Sequence, residues 1–201
     1  MDELEKNQRH KERMQRKKAA IDASIAQASQ EKGVLVLLTG NGKGKSSSAF
    51  GMVARALGHG MKVGVAQFIK SRTDTGEEAF FSKQNNVEWH VLGDGFTWDT
   101  QDRAQDIATS ERGWLIAEKM LADPSYDLVV LDELTYLINY KYLDAERVYE
   151  ALEHRPARQH VVVTGRAAAA ELRELADTVS EINDEKHAYR AGVQAQKGVD
   201  L

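Results

Sequence analysis

The chain has no cysteine among its 201 residues, which excludes disulfides and thiolate metal sites. No apolar stretch approaches the roughly 20 residues needed to cross a bilayer. Residues 1–20 hold no apolar segment of the kind a secretory signal requires. A cytoplasmic protein with no membrane partner is therefore expected. The six histidines form no HxH or HExxH pattern, and all six read as structural or surface residues. Excess positive charge is missing too: the formal net charge is −4, which argues against a dedicated nucleic-acid binder, whose surface must neutralise phosphates. The distribution is uneven, because residues 1–20 carry seven Lys or Arg against four Asp or Glu, +3, leaving −7 for the remainder.

With 42% hydrophobic and 29% charged residues, the composition suits one globular core. From Asp2 to about Gln30 there is neither glycine nor proline, and apolar residues are sparse: Leu4, Met14, Ile21 and Ile25. A helix of this kind has little to bury alone. Residues 1–32 are expected to form a helical extension, either solvated or an arm that orders over a ligand or partner subunit. Residues 33–201 are expected to form the single globular domain that carries any ligand site.

Beyond Gly33, short β-rich runs alternate with longer helical segments, the pattern of a parallel sheet with crossover helices. Strands are predicted at 34–38, 62–69, 87–92, 127–131, 159–163 and 178–182. Phe50, Val53 and Leu57 mark a helix that starts in a glycine-rich loop and ends near Gly58 and Gly60. A further helix spans 101–122, with Ile107, Trp114 and Leu121 on one face and Pro124 just beyond. With the glycine loop TGNGKGKS at 39–46 between the first strand and its helix, the predicted fold is α/β of the phosphate-loop NTPase (RecA-like) class, a mostly parallel six-stranded sheet flanked by helices.

The glycine loop reads TGNGKGKS from Thr39 to Ser46 and directly follows the apolar run Val34 to Leu38. Gly40, Gly42 and Gly44 permit a tight turn with inward N–H groups, Lys45 can reach phosphate oxygens, and the Ser46 hydroxyl can ligate Mg²⁺. The usual spacing G-x-x-x-x-G-K-[ST] would place its first glycine at 39, where this chain has Thr39. A second buried run, Leu128 to Leu131, ends in Asp132 and Glu133. These acids either hold Mg²⁺ beside the phosphates or cap the following helix. Because side chains alternate along a strand, the two acids are expected to differ in role. Arg166 follows the strand Val161 to Val163 and is either a partner for phosphate or carboxylate or a surface residue. Phe96 and Trp98, in a turn-rich segment, are either core residues or a wall for a flat apolar ligand.

The series TGNGKGKSS at 39–47, ARALGHG at 54–60, VAQFIK at 65–70, GFTWDTQ at 95–101, VVLDELTY at 129–136, TGRA at 164–167, ADTVSEI at 176–182 and KHAYRAGVQAQKGVDL at 186–201 resembles the bacterial phosphate-loop type of ATP:corrinoid adenosyltransferase, also called cob(I)alamin adenosyltransferase. The offset Gly40 belongs to that pattern. Ser46 stands where threonine is common, and Ala167 to Ala170 replace a more polar stretch.

The resemblance implies transfer of the 5′-deoxyadenosyl group of ATP to cobalt(I) of a reduced corrinoid, with release of triphosphate, in adenosylcobalamin biosynthesis or salvage. It implies that ATP, in a reversed orientation, is held by Gly40, Asn41, Gly42, Lys43, Gly44, Lys45, Ser46, Ser47 and Arg166, and that Mg²⁺ or Mn²⁺ is held by Ser46 and Glu133 with Asp132 in support. It makes Lys45, Phe96 and Trp98 the catalytic set, the two aromatics excluding the lower axial ligand of the corrin. It implies a homodimer and a reduced flavoprotein of the flavodoxin type as electron donor. Two other classes fit the loop alone. A small-molecule kinase or ATPase would need a group aligning an acceptor at the γ-phosphate, and a RecA-like nucleic-acid protein would use the basic arm.

Overall fold

A computed structural model describes residues 3–69, 75–93 and 102–200. The chain divides into two compact units, residues 1–32 and 33–201.

In the first unit, α1 runs from Glu3 to Gln27 and has no buried residue. Leu4, Ile21 and Ile25 are exposed. Local pairs such as Lys18 with Asp22, 2.7 Å apart, lie along the helix, and such exposed i,i+4 pairs contribute only a few tenths of a kcal/mol.

In the second unit, apolar runs form strands because side chains on both faces of a covered parallel sheet must be buried. The strands are β1 (Leu35–Thr39), β2 (Val63–Gln67), β3 (Val87–Val91), β4 (Leu128–Asp132), β5 (His160–Thr164) and β6 (Thr178–Glu181). Every β-run expected from sequence is present. Boundaries move by one or two residues, most at the 62–69 run, which becomes Val63–Gln67. All pairings are parallel, in the order β3-β2-β4-β5-β1-β6. The central strands β2 and β4 are buried throughout, whereas the edge strand β6 is exposed along its length.

One face of the sheet packs against α2 (Lys45–Gly58) through Ala49, Phe50 and Val53, which meet Leu38, Val65, Val130 and Val162. The helix ends where His59 and Gly60 bond back to Ala56 and Leu57, with Gly60 at φ 74°. The opposite face is covered by α4 (Arg103–Ala122) and α6 (Ala145–Glu153), following α3 (Gly76–Phe81) and α5 (Leu134–Asn139) in chain order. Asp102 caps α4 by accepting the Ala104 and Gln105 N–H groups. Trp114 and Leu121 are fully buried on α4, while Ile107, expected on the same face, is only partly buried. A short α7 (Ala170–Leu175) precedes β6, and a 3₁₀ turn occupies Ala188–Ala191. Among the described residues no helix is long and apolar enough to cross a membrane.

Candidate functional site

Strand order assembles the site. Because β5 lies between β1 and β4, three neighbouring parallel strands end at one edge, and the segments that follow them are the glycine loop, Glu133 and Gly165–Arg166. Ligands of open parallel sheets bind at this carboxyl edge.

The loop is seated on the segment that follows β6. Gly42 N–H donates to the Ile182 carbonyl at 2.7 Å, and Ile182 N–H donates to the Thr39 carbonyl at 2.8 Å. A Cβ on Gly42 would stand 2.4 Å from the Asn183 carbonyl oxygen, and one on Gly40 would stand 2.5 Å from that of Ile182. Glycine is thus required by close approach here. At Gly44 the requirement is conformational: φ is 123° with nothing near a Cβ. Gly44 opens α2 without a side-chain cap, so the first-turn N–H groups and the positive end of the helix dipole are directed to the loop.

Lys45 is buried, and its Nζ donates to the Gly42 carbonyl at 2.8 Å. Burial lowers its pKa from the usual lysine value; Glu133 opposes that shift, Arg166 adds to it and Asp132 opposes it. A cation held in this way is poorly solvated and strengthened as a partner for phosphate.

The two acids after β4 divide as strand alternation predicts. Asp132 is buried; its Oδ1 accepts the Thr164 hydroxyl at 2.8 Å and its Oδ2 accepts Gln67 Nε2 at 3.0 Å. Thr164 Oγ1 in turn accepts the Glu133 N–H at 2.9 Å. Asp132 therefore fixes the Glu133 backbone from behind, and Glu133 lines the cleft. Glu133 adopts φ 62°, ψ 25° and makes no side-chain cap to α5, which removes the capping reading. Left-handed backbone at a non-glycine residue costs on the order of 1 kcal/mol or more.

Arg166 also lines the cleft. Its carbonyl accepts Thr135 Oγ1 at 2.8 Å and Asn139 Nδ2 at 3.2 Å, so α5 holds the turn that carries the guanidinium. The cleft has a volume of about 260 Å³ and brings together Asn41, Gly42, Lys43, Gly44, Lys45, Ser46 and Ser47 with Glu133 and Arg166. Gly40, expected with them, packs against Ile182 and does not line the cleft. Phe96 and Trp98 lie outside the described residues.

Three further titratable wall residues were not singled out in sequence: Glu77 from α3, His187 and Asp200. His187 caps the 3₁₀ turn Ala188–Ala191, a structural role, and also lines the cleft. Its Nδ1 accepts the Tyr189 N–H at 3.2 Å, which leaves Nε2 to carry the ring proton in the neutral form. None of the three sits in a periodic segment or next to a glycine-rich turn; only the quoted stretch 186–201 pointed to two of them.

Hard oxygen donors suit Mg²⁺, which takes few protein ligands and completes its shell with phosphate and water. The Ser46 hydroxyl and the Glu133 carboxylate belong to residues that line the same cleft, and they fit that donor set.

Comparison with known proteins shows the family. A family model described as "ATP:corrinoid adenosyltransferase BtuR/CobO/CobP" matches residues 31–201, and one described as "Cob(I)alamin adenosyltransferase N terminal" matches residues 1–25. The corrinoid adenosyltransferase of Pseudomonas aeruginosa is 60% identical over 198 residues, covering 98% of each chain. That of Escherichia coli K12 is 50% identical over 194 residues, covering 96% of this chain and 98% of the other. Corrinoid adenosyltransferase CobA of Salmonella typhimurium is 48% identical with the same coverage.

Proposed function

Because this chain belongs to the ATP:corrinoid adenosyltransferase family, we propose that it transfers the 5′-deoxyadenosyl group of ATP to cobalt(I) of a reduced corrinoid and releases triphosphate. The observation that carries this reading is the convergence of the glycine loop, Glu133 and Arg166 on one cleft across three adjacent strand ends. A cobalt(I) electron pair forms the bond to the ribose C5′, and the C5′–O bond breaks with its pair leaving on triphosphate. The leaving group gains negative charge, so catalysis requires fixed positive charge at the phosphates.

The site supplies that charge. Lys45 stands over the loop with reduced solvation, Lys43 and Arg166 reach the same cleft, and the uncapped α2 start adds its N–H groups. Ser46 and Glu133 would hold Mg²⁺, with Asp132 orienting Glu133; the ion neutralises phosphate charge when bound. ATP takes the reversed orientation, which leaves C5′ accessible. Phe96 and Trp98 serve as the apolar wall that denies the cobalt a lower axial donor and so eases reduction from cobalt(II). The arm 1–32 closes over the corrinoid, and the working form is a cytoplasmic homodimer that receives its electron from a reduced flavoprotein.

The decisive experiment is anaerobic incubation of the protein with chemically reduced corrinoid, ATP and Mg²⁺, following the cobalt–carbon spectrum and the phosphate product. Triphosphate formed in step with the spectral change supports the reading. ADP without a spectral change overturns it. Phe96→Ala or Trp98→Ala should impair the reaction started from cobalt(II) more than that started from preformed cobalt(I); equal losses would reduce the pair to packing. Slower hydrogen exchange across α1 on adding corrinoid, and a dimer mass in sedimentation, are the results expected for the arm and the assembly.

A further inference from the structure

The cleft built for an anion already contains one of its own. Asp200 Oδ1 lies 2.8 Å from Lys43 Nζ, and both residues line the phosphate cleft. The carboxylate is positioned by a tight turn: its Oδ2 accepts the Gln196 N–H at 2.9 Å, and Asp200 N–H donates back to the Gln196 carbonyl at 2.8 Å. Gly198, at φ 79°, makes that turn possible. The Lys43 hydrogen bond foremost, and the Gln196 N–H next, hold the Asp200 carboxyl below the usual carboxylate range, so the group is an anion at neutral pH.

The two lysines of the loop are therefore treated differently. Lys45 is steadied by a neutral carbonyl, which does not repel an incoming phosphate. Lys43 is steadied by a full negative charge. The charged lining residues balance at three and three, Lys43, Lys45 and Arg166 against Glu77, Glu133 and Asp200. A triphosphate adds several more negative charges. Mg²⁺ can offset Glu133, whereas Asp200 holds Lys43 itself, so a phosphate must break that ion pair before it can take the lysine.

We propose that Asp200 is a stand-in anion for the triphosphate: it occupies Lys43 when the cleft holds no nucleotide, yields it when ATP binds, and reclaims it as triphosphate departs. The residue thereby weakens retention of the most highly charged species of the cycle and acts as an affinity-determining residue for the polyphosphate end of ATP. This inference rests on the reading of the cleft as a triphosphate cradle.

The test is calorimetric titration of the full chain with inorganic tripolyphosphate and Mg²⁺ at fixed ionic strength. Asp200→Asn should bind roughly two- to five-fold more tightly than the unaltered protein, the range that exposed ion pairs span, and Asp200→Glu should restore the original affinity. In a Lys43→Ala background the Asp200→Asn gain should vanish, because the two residues act through one contact. Equal or weaker binding by Asp200→Asn would overturn the inference while leaving the cradle intact, and so would a gain that persists without Lys43. Failure of the unaltered protein to bind tripolyphosphate would overturn the cradle and the inference together.

Discussion

Turns at the same sheet edge solve the same geometric problem in different ways. After β1, positive φ falls on Gly40 and Gly44, and the product is a tight loop whose residues 41–47 line the cleft. After β4 it falls on Glu133 at 62°, and after β5 on Gly165 at 145° and Ala167 at 50°. Glycine at position 133 would ease the backbone and remove the carboxylate. Where the ligand is to be met by main chain, glycine relieves the strain. Glu133 is delivered with the strain kept and Thr164 holding it, and Arg166 is delivered between Gly165 and a left-handed Ala167 with Thr135 behind it.

The largest effect should come from removing a delivered side chain. Lys45→Ala or Glu133→Gln is expected to lower kcat/KM by roughly 100-fold or more, as loss of a preorganised charge-stabilising group does, with little change in the melting temperature. A collapse of the fold in both variants would mean that these groups are structural and would erase the contrast between the turns.

Next in size is a change to the main-chain turn. Gly42→Ala drives a methyl into the Asn183 carbonyl, and such overpacking costs about 1–3 kcal/mol. Thermal unfolding and the KM for ATP should both worsen. An unaffected KM would show that the loop does not need its seat on residues 182–183 to bind phosphate.

The pH dependence follows from Lys45, whose pKa is lowered chiefly by burial. A triphosphate beside it favours the charged form, so ATP affinity should be full at neutral pH and fall as pH rises through that lowered value, before an ordinary lysine discharges. Stability should run the other way: between the lowered and ordinary values the unfolded chain binds more protons, so the ligand-free protein gains stability as pH rises. Measuring ATP KM and unfolding against pH checks both signs, and Lys45→Arg should shift the affinity loss out of the range.

The smallest effect belongs to Ala167→Gly. Relief of a left-handed alanine is partly offset by the entropy of the unfolded glycine, so stability should rise by up to about 1 kcal/mol in thermal unfolding. A clear loss would mean that the Ala167 methyl is needed where it is.

Sequence made the strands legible because buried parallel strands are written as continuous apolar runs, and Leu128 to Leu131 or Val161 to Val163 have no other reading of that length. It made the loop legible because glycine and lysine at those spacings have a direct physical use. Asp132 and Glu133 were legible as a pair, but the division between them depended on Gln67 and Thr164, which belong to neighbouring strands. Strand order is a long-range packing outcome, so the insertion of β5 between β1 and β4 left no local trace. Asp200 and His187 were hidden for the same reason: each reaches the cleft from a segment with no apolar period to place it.

The inserted strand also works as a ruler. Neighbouring strands stand about 4.8 Å apart, so the end of β1 and the end of β4 are separated by about 10 Å, two such steps, whatever side chains decorate them. The distance from loop to acid is thus fixed by the sheet lattice and comes in whole strand widths. Substitutions around the cleft can alter what is gripped and how hard, but the length of the object gripped was decided when β5 took its place.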